Sequence, residues 1–210
     1  ETTQLTPNLE NGKKEFYTCA LCHSPEGWGT TDGTTPEIAG QLSSVIIKQL
    51  TDIRLGNRDN PTMIPFTTPV VMSLQDIVDV AAYLEQLKMA SSNLTGPGNN
   101  LEHGKKLYIK ECAECHGKNG EGDAKEFYPK IHGQNYNYLL RQMHWIKDGK
   151  RRNANRNMVN QIKRFTDEDI TAVIDYSSRL RPDPSKVAEK GWTNPDFPRS
   201  FMFSPKYDKR

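Results

Sequence analysis

The stretch Thr18-Cys19-Ala20-Leu21-Cys22-His23-Ser24-Pro25, "TCALCHSP", puts two thiols and an imidazole within five positions. It has a twin. At residues 111–118, "ECAECHGK" repeats the arrangement with Cys112, Cys115 and His116, and the two copies consume all four cysteines of the chain. The shift of 93 residues that carries Cys19 onto Cys112 also carries Pro36 onto Pro129, Gly40 onto Gly133, Gln49 onto Gln142 and Gly56 onto Gly149. Arg58 onto Arg151, Asp76 onto Asp169 and Tyr83 onto Tyr176 follow the same shift. A series this regular is an internal duplication, two structural units in tandem.

The polar segment "SSNLTGPGNN", residues 91–100, with Gly96-Pro97-Gly98 at its centre, separates the copies. The organisation expected is a first domain over residues 1–93, a linker over 94–100, a second domain over 101–181 and an extended tail over 182–210. Apolar spacing predicts three helices per unit: one entering the cysteine motif, one near Ser43–Leu55 or Tyr136–Lys147, and one near Leu74–Leu87 or Thr166–Leu180. Ser73 before "LQDI" and Thr166 before "DEDI" are hydroxyl N-caps followed by acids in the first turn. The fold class expected is all-α. Units of this size bury a limited fraction of their surface and need a staple, whether a disulfide, a metal or a cofactor.

Composition narrows the class further. The chain has 210 residues, 26% of them charged. The longest apolar stretch, residues 69–84, is interrupted by Gln75, Asp76 and Asp79, so no run approaches the roughly 20 apolar residues that cross a bilayer. The sequence opens at Glu1 in a polar stretch, which fits a chain whose signal peptide has been removed, and the location expected is the periplasm. A formal charge of +2 conceals an asymmetry: residues 1–95 carry 6 Lys or Arg against 11 Asp or Glu, and residues 96–210 carry 22 against 15. Seven basic residues, Lys147, Lys150, Arg151, Arg152, Arg156, Lys163 and Arg164, fall in one run with a single acid, Asp148. The expectation is a positive rim on the second unit that steers an acidic partner, set against a plain solvated face. No recognition-fold signature accompanies the run, which argues against nucleic acid.

Three chemistries use closely spaced Cys and His. A structural zinc ion needs four ligands, and the two Cys pairs lie in separate units about 90 residues apart, far beyond the spacing of most fingers. A thioredoxin-type redox pair needs a βαβ setting, and neither copy has a strand pattern beside it. Cys-x-x-Cys-His is the c-type haem attachment pattern: both thiols reach the porphyrin vinyl groups and the adjacent imidazole reaches iron. Its duplication selects two covalently bound haem c groups, held by Cys19, Cys22 and His23 and by Cys112, Cys115 and His116.

His23 and His116 each leave one axial position to fill. Met63, in "RDNPTMIPF", and Met158, in "NANRNMVNQ", both follow the matched Gly-x-Arg and precede the last helix, at a shift of 95. Met72 and Met143 read as core fillers, and Met72 remains the competitor of Met63. His103, His132 and His144 have Asn11, Ala39 and Thr51 as counterparts and read as ordinary polar or half-buried residues. Thioether sulfur favours ferrous iron, raises the potential and closes the coordination shell to substrates, so the iron ligands expected are His23 with Met63 and His116 with Met158.

These residues resemble the dihaem cytochromes of the cytochrome c4 family, which look like two fused class I cytochrome c domains. The resemblance is carried by "CALCH" and "CAECH", "PEIAGQ" and "PKIHGQ", "LGNR" and "DGKR", Met63 and Met158, and "DIVDVAAYL" and "DITAVIDYS", over about Gly12 to Leu180. It implies that the first helix of each unit crosses the last at a glycine and an aromatic pair: Gly12 and Phe16 against Tyr83, Gly104 and Tyr108 against Tyr176. It also implies two haems facing each other across the domain interface with their propionates near it. Two departures stand out. Ser24 follows the first motif where Gly117 follows the second, and the Pro- and aromatic-rich tail, with Trp192, Phe197, Phe201 and Phe203, is longer than the family pattern needs. The tail is expected to pack as an extended segment on the protein's own surface.

The function expected is transfer of single electrons by a periplasmic carrier, between a respiratory donor complex or dehydrogenase and a terminal oxidase or reductase, with no substrate bound at iron. The alternative is a cytochrome subunit of a dehydrogenase, for example one oxidising sulfur compounds. The partners expected are redox proteins, some of them membrane-bound, and the assembly a monomer or weak dimer.

Overall fold

The computed structural model describes residues 5–198. The first unit contains α1 (Leu9–His23), α2 (Ser43–Arg54), a one-turn α3 (Ile64–Thr67) and α4 (Leu74–Gln86). The second contains α5 (Leu101–Leu107), a π-helical segment (Tyr108–Cys112), α6 (Ala113–His116), α7 (Tyr136–Lys147), α8 (Arg156–Ile162) and α9 (Asp167–Ser178). A 3₁₀ turn (Pro184–Lys186) opens the tail. Among the described residues extended pairing is confined to two isolated bridges, Met89 with Val187 and Asp123 with Tyr128. The chain is all-α, as its periodicity predicts.

Each unit is built on the crossing of its first and last helices. A Cβ on Gly12 would lie 2.1 Å from the carbonyl oxygen of Asp79, and one on Gly104 would lie 2.1 Å from that of Ala172, so only glycine permits either approach. Above each glycine an aromatic pair closes the crossing, with Phe16 and Tyr83 centroids 5.6 Å apart and those of Tyr108 and Tyr176 5.5 Å apart. Polar ties hold the helix starts together. Asn11 Nδ2 donates to Asp76 and Asp79 in the first unit, and His103, at the duplicated position, pairs through Nε2 with Asp169 at 2.7 Å. Both N-cap expectations are met: Ser73 with Asp76 and Thr166 with Asp169 form reciprocal capping boxes.

One difference between the copies has a geometric answer. Eleven steps separate Gly12 from His23 and twelve separate Gly104 from His116. The extra residue is absorbed where α5 loosens into the π-helical turn Tyr108–Cys112. Both the glycine crossing and the histidine thereby keep their places.

The units meet through a pseudo-twofold set of hydrogen bonds. Gln41 uses its amide to bond both the N–H (2.9 Å) and the carbonyl (3.0 Å) of Lys130, and Gln134 does the same to Glu37, at 3.2 and 2.8 Å. Arg58 reaches Gln49 in its own unit and Gln142 in the other, while Arg151 reaches Gln142 and Gln49 in turn. Met89 lies between the two halves, its side chain against both Gly40 and Gly133. The segment after α4 is also docked: Asn93 Nδ2 donates to the carbonyls of Gln134 and Ser178, and the N–H of Gly98 donates to Asp175.

The tail leaves the second unit and runs over the first. The N–H of Met89 donates to the carbonyl of Lys186 and its carbonyl accepts from the N–H of Ala188, Trp192 lies against Trp28, and Phe197 joins the first unit's core at 5% exposure. Over residues 182–198 this is the self-packing expected of the segment. Its Phe201 and Phe203 lie outside the described residues.

Candidate functional site

In both units the motif forms the last turn of a helix, so the two cysteines and the histidine fall on one short arc. The chain must reverse directly after the histidine. Gly117 does so at φ 82° without penalty. Ser24 adopts φ 68° despite its Cβ, a conformation that costs about 1–3 kcal/mol and is kept only where the surroundings enforce it. Part of that enforcement is local, because its Oγ accepts from the N–H of Trp28 at 3.1 Å.

The imidazoles are set identically. His23 Nδ1 lies 3.0 Å from the carbonyl of Pro36, and His116 Nδ1 lies 3.0 Å from that of Pro129. A carbonyl only accepts, so Nδ1 carries the proton and Nε2 keeps its lone pair for a metal. Both rings are buried, which pushes their pKa below the ordinary histidine value and keeps them neutral; Arg151 adds to the effect at His116. Burial pushes the Cys19 thiol up to about 11 and the Cys112 thiol up to about 12. Such thiols are uncharged at neutral pH. Among the described residues no three His, Cys, Asp or Glu side chains converge to hold an ion by themselves. The donor set therefore fits an iron carried by a porphyrin bonded to the cysteines and bound axially by each Nε2.

The methionines sort by packing. Met72, Met89 and Met143 are buried at 5%, 5% and 6% exposure. Met63 is half-buried immediately before α3, and Met158 is half-buried inside α8 against the second core. Both lie on the segment between the second and last long helices of their unit. His132, expected to be an ordinary polar or half-buried residue, is buried and donates from Nδ1 to the carbonyl of Asn119 at 3.0 Å, holding the loop after the second motif.

The basic run departs from its expectation in part. Lys150, Arg152, Arg156, Lys163 and Arg164 are exposed, but Lys147 turns onto the carbonyl of Phe165 and Asp167. Arg151 points into the interface, where burial and the neighbouring Arg58 lower its pKa to about 10. Five of the seven are therefore exposed. In the sequence the pairs Gln49/Gln142 and Arg58/Arg151 are legible only as markers of duplication; their recurrence in both copies without a capping role is the signal that they meet.

Duplicated helix crossings, paired attachment motifs and matched imidazoles define a c-type cytochrome with two haem sites. The protein-family model described as Cytochrome c matches twice, over residues 9–88 and 101–180. Cytochrome c4 of Azotobacter vinelandii is 29% identical over 184 residues, covering 80% of this chain and 87% of that protein. The thiosulfate dehydrogenase electron acceptor of Stutzerimonas stutzeri is 31% identical over 172 residues, covering 77% and 78%. The crystal structure of reduced cytochrome c4 from Pseudomonas stutzeri superposes with a TM-score of 0.74 at 27% identity, covering 84% of this chain and all of that one. The chain belongs to the cytochrome c family, within its two-domain cytochrome c4 branch, and is an electron-transfer protein with two covalent haem c groups.

Proposed function

We propose that the protein is an exported carrier that relays single electrons through two six-coordinate haems, one bound by His23 and Met63, the other by His116 and Met158. The observation that carries this is the matched pair of buried imidazoles, each with its proton fixed on Nδ1 by a proline carbonyl. A neutral imidazole with its proton fixed on Nδ1 presents the Nε2 lone pair to a metal. Cys19 with Cys22 and Cys112 with Cys115 would hold the porphyrins. Arg58 and Arg151, brought together at the interface, favour an anion beside them and suit haem propionates. The unit boundaries proposed are 1–93 and 101–181, joined by 94–100.

The donor proposed is a respiratory complex or dehydrogenase, the acceptor a terminal oxidase or reductase, with some of these partners in a membrane. Among the described residues no helix is long and apolar enough to cross one. The periplasm is the location proposed, and monomer or weak dimer the state. Ferric-state absorption and magnetic resonance test the ligation: two low-spin His/Met haems are expected, and a high-spin, readily ligated haem in either half would contradict the reading.

A second reading, the electron-accepting subunit of a sulfur-compound dehydrogenase, is favoured by the similarity to the thiosulfate dehydrogenase electron acceptor. Stable co-purification with a dehydrogenase would select it over the free carrier.

A further inference from the structure

The two units close the loop after their haem motif by different means. In the second, Tyr108 is wholly buried and its hydroxyl donates to the carbonyl of Gly117, the residue following His116, at 2.7 Å. The duplicated position in the first unit is Phe16, which has no hydroxyl to offer. There the loop is reached from the other end of the chain. Asn194, 2% exposed, donates through Nδ2 to the carbonyl of Pro25 at 2.7 Å and to the hydroxyl of Tyr83 at 3.0 Å. Asp196 pairs with Lys13 at 2.7 Å and accepts from Tyr83 at 3.0 Å, and Phe197 packs edge to face on Phe16.

The receiving surface is particular to the first unit. Tyr17, which donates to the carbonyl of Asp196, has Ile109 as its counterpart. Trp28, which lies against Trp192, has Glu121, and Pro25 has Lys118. The tail therefore recognises one of two otherwise duplicated domains.

We propose that the segment Asn194-Pro195-Asp196-Phe197 is a positioning element for the first haem site, with Asn194 supplying from outside the domain the tie that Tyr108 supplies within the second. The proposal rests on the assignment of a haem to Cys19, Cys22 and His23. Asn194 acts through the loop. The carbonyl it holds is two residues past His23, and the same loop returns a bond from the N–H of Gly29 to the carbonyl of His23 at 2.8 Å. Gly27 in turn accepts from the N–H groups of Ile38 and Ala39, next to the Pro36 carbonyl that orients the imidazole. A loosened loop is thus felt at both ends of the histidine, by its backbone and by its ring.

The test is the full-length holoprotein carrying Asn194→Leu, which keeps the volume and removes the donor without adding charge. The amides of Gly27, Gly29 and Ile38 should exchange about three- to tenfold faster, the effect of one lost hydrogen bond, while those of Gly120, Gly122 and Ile131 stay unchanged. The midpoint potential of the first haem should shift and that of the second should not. Equal changes in both units, or none in either, would overturn the proposal. Haem stoichiometry and the low-spin spectrum, read on the same samples, report the ligation separately. If the variant does not accumulate, the unmodified ferrous protein decides. Asn194 side-chain amide protons protected from exchange and close to Pro25 and Tyr83 support the proposal, and freely exchanging ones overturn it.

Discussion

At positions 23 and 116 one hydrogen bond decides which nitrogen faces the metal, and the sequence shows its source only indirectly. The motif identifies the histidines; the accepting carbonyls of Pro36 and Pro129, thirteen residues on, become visible only when the loop is folded. The methionines proposed as second ligands rest on sequence position: Met63 and Met158 share a matched place after Gly-x-Arg, while Met72, Met89 and Met143 are buried. Replacing Met63 with Ala should open the first haem alone, giving a high-spin ferric signal and a lower potential there while the second haem keeps its spectrum. Met158→Ala should do the reverse, and electron paramagnetic resonance distinguishes the two outcomes.

Among the elements, the helix crossing is the most constrained. Gly12→Ala forces a methyl group toward a backbone carbonyl 2.1 Å away, and overpacking of this kind costs about 1–3 kcal/mol. Calorimetry should show the first unit melting early, with Gly104→Ala producing the same loss in the second. The capping boxes give a pH dependence. Hydrogen bonding with Ser73 holds the Asp76 carboxyl below its ordinary range, and His103 followed by Thr166 does so for Asp169. A depressed carboxylate stabilises the fold above its unfolded pKa of about 3.9 and loses that contribution as pH falls through the folded value. Asp76→Asn and Asp169→Asn should flatten the decline in melting temperature below about pH 4. The helices themselves were legible because period and cap agree. The π-helical turn was not, since a one-residue difference in spacing does not say where the slack is taken up.

Across the whole molecule the two halves are one body joined by buried polar contacts. Gln134, 8% exposed, satisfies both backbone groups of Glu37, and leaving such groups unpaired costs about 1–3 kcal/mol. Gln134→Ala should therefore separate the thermal transitions of the two units, as followed by differential scanning calorimetry. The charge asymmetry was readable from composition, but its geometry was not, because Arg151 is drawn inward by the interface. The destination of the tail was hidden as well. Its aromatic content marked it for packing, yet only the fold shows it crossing from the second unit to the first. The central claim is that each half is a closed electron relay. A potentiometric titration of the full-length protein followed by absorption spectroscopy tests it most directly. Two one-electron steps are expected, both between low-spin His/Met states, at two haems per chain. A single haem per chain, or a step in which either iron becomes high-spin or takes up an added ligand, would contradict it.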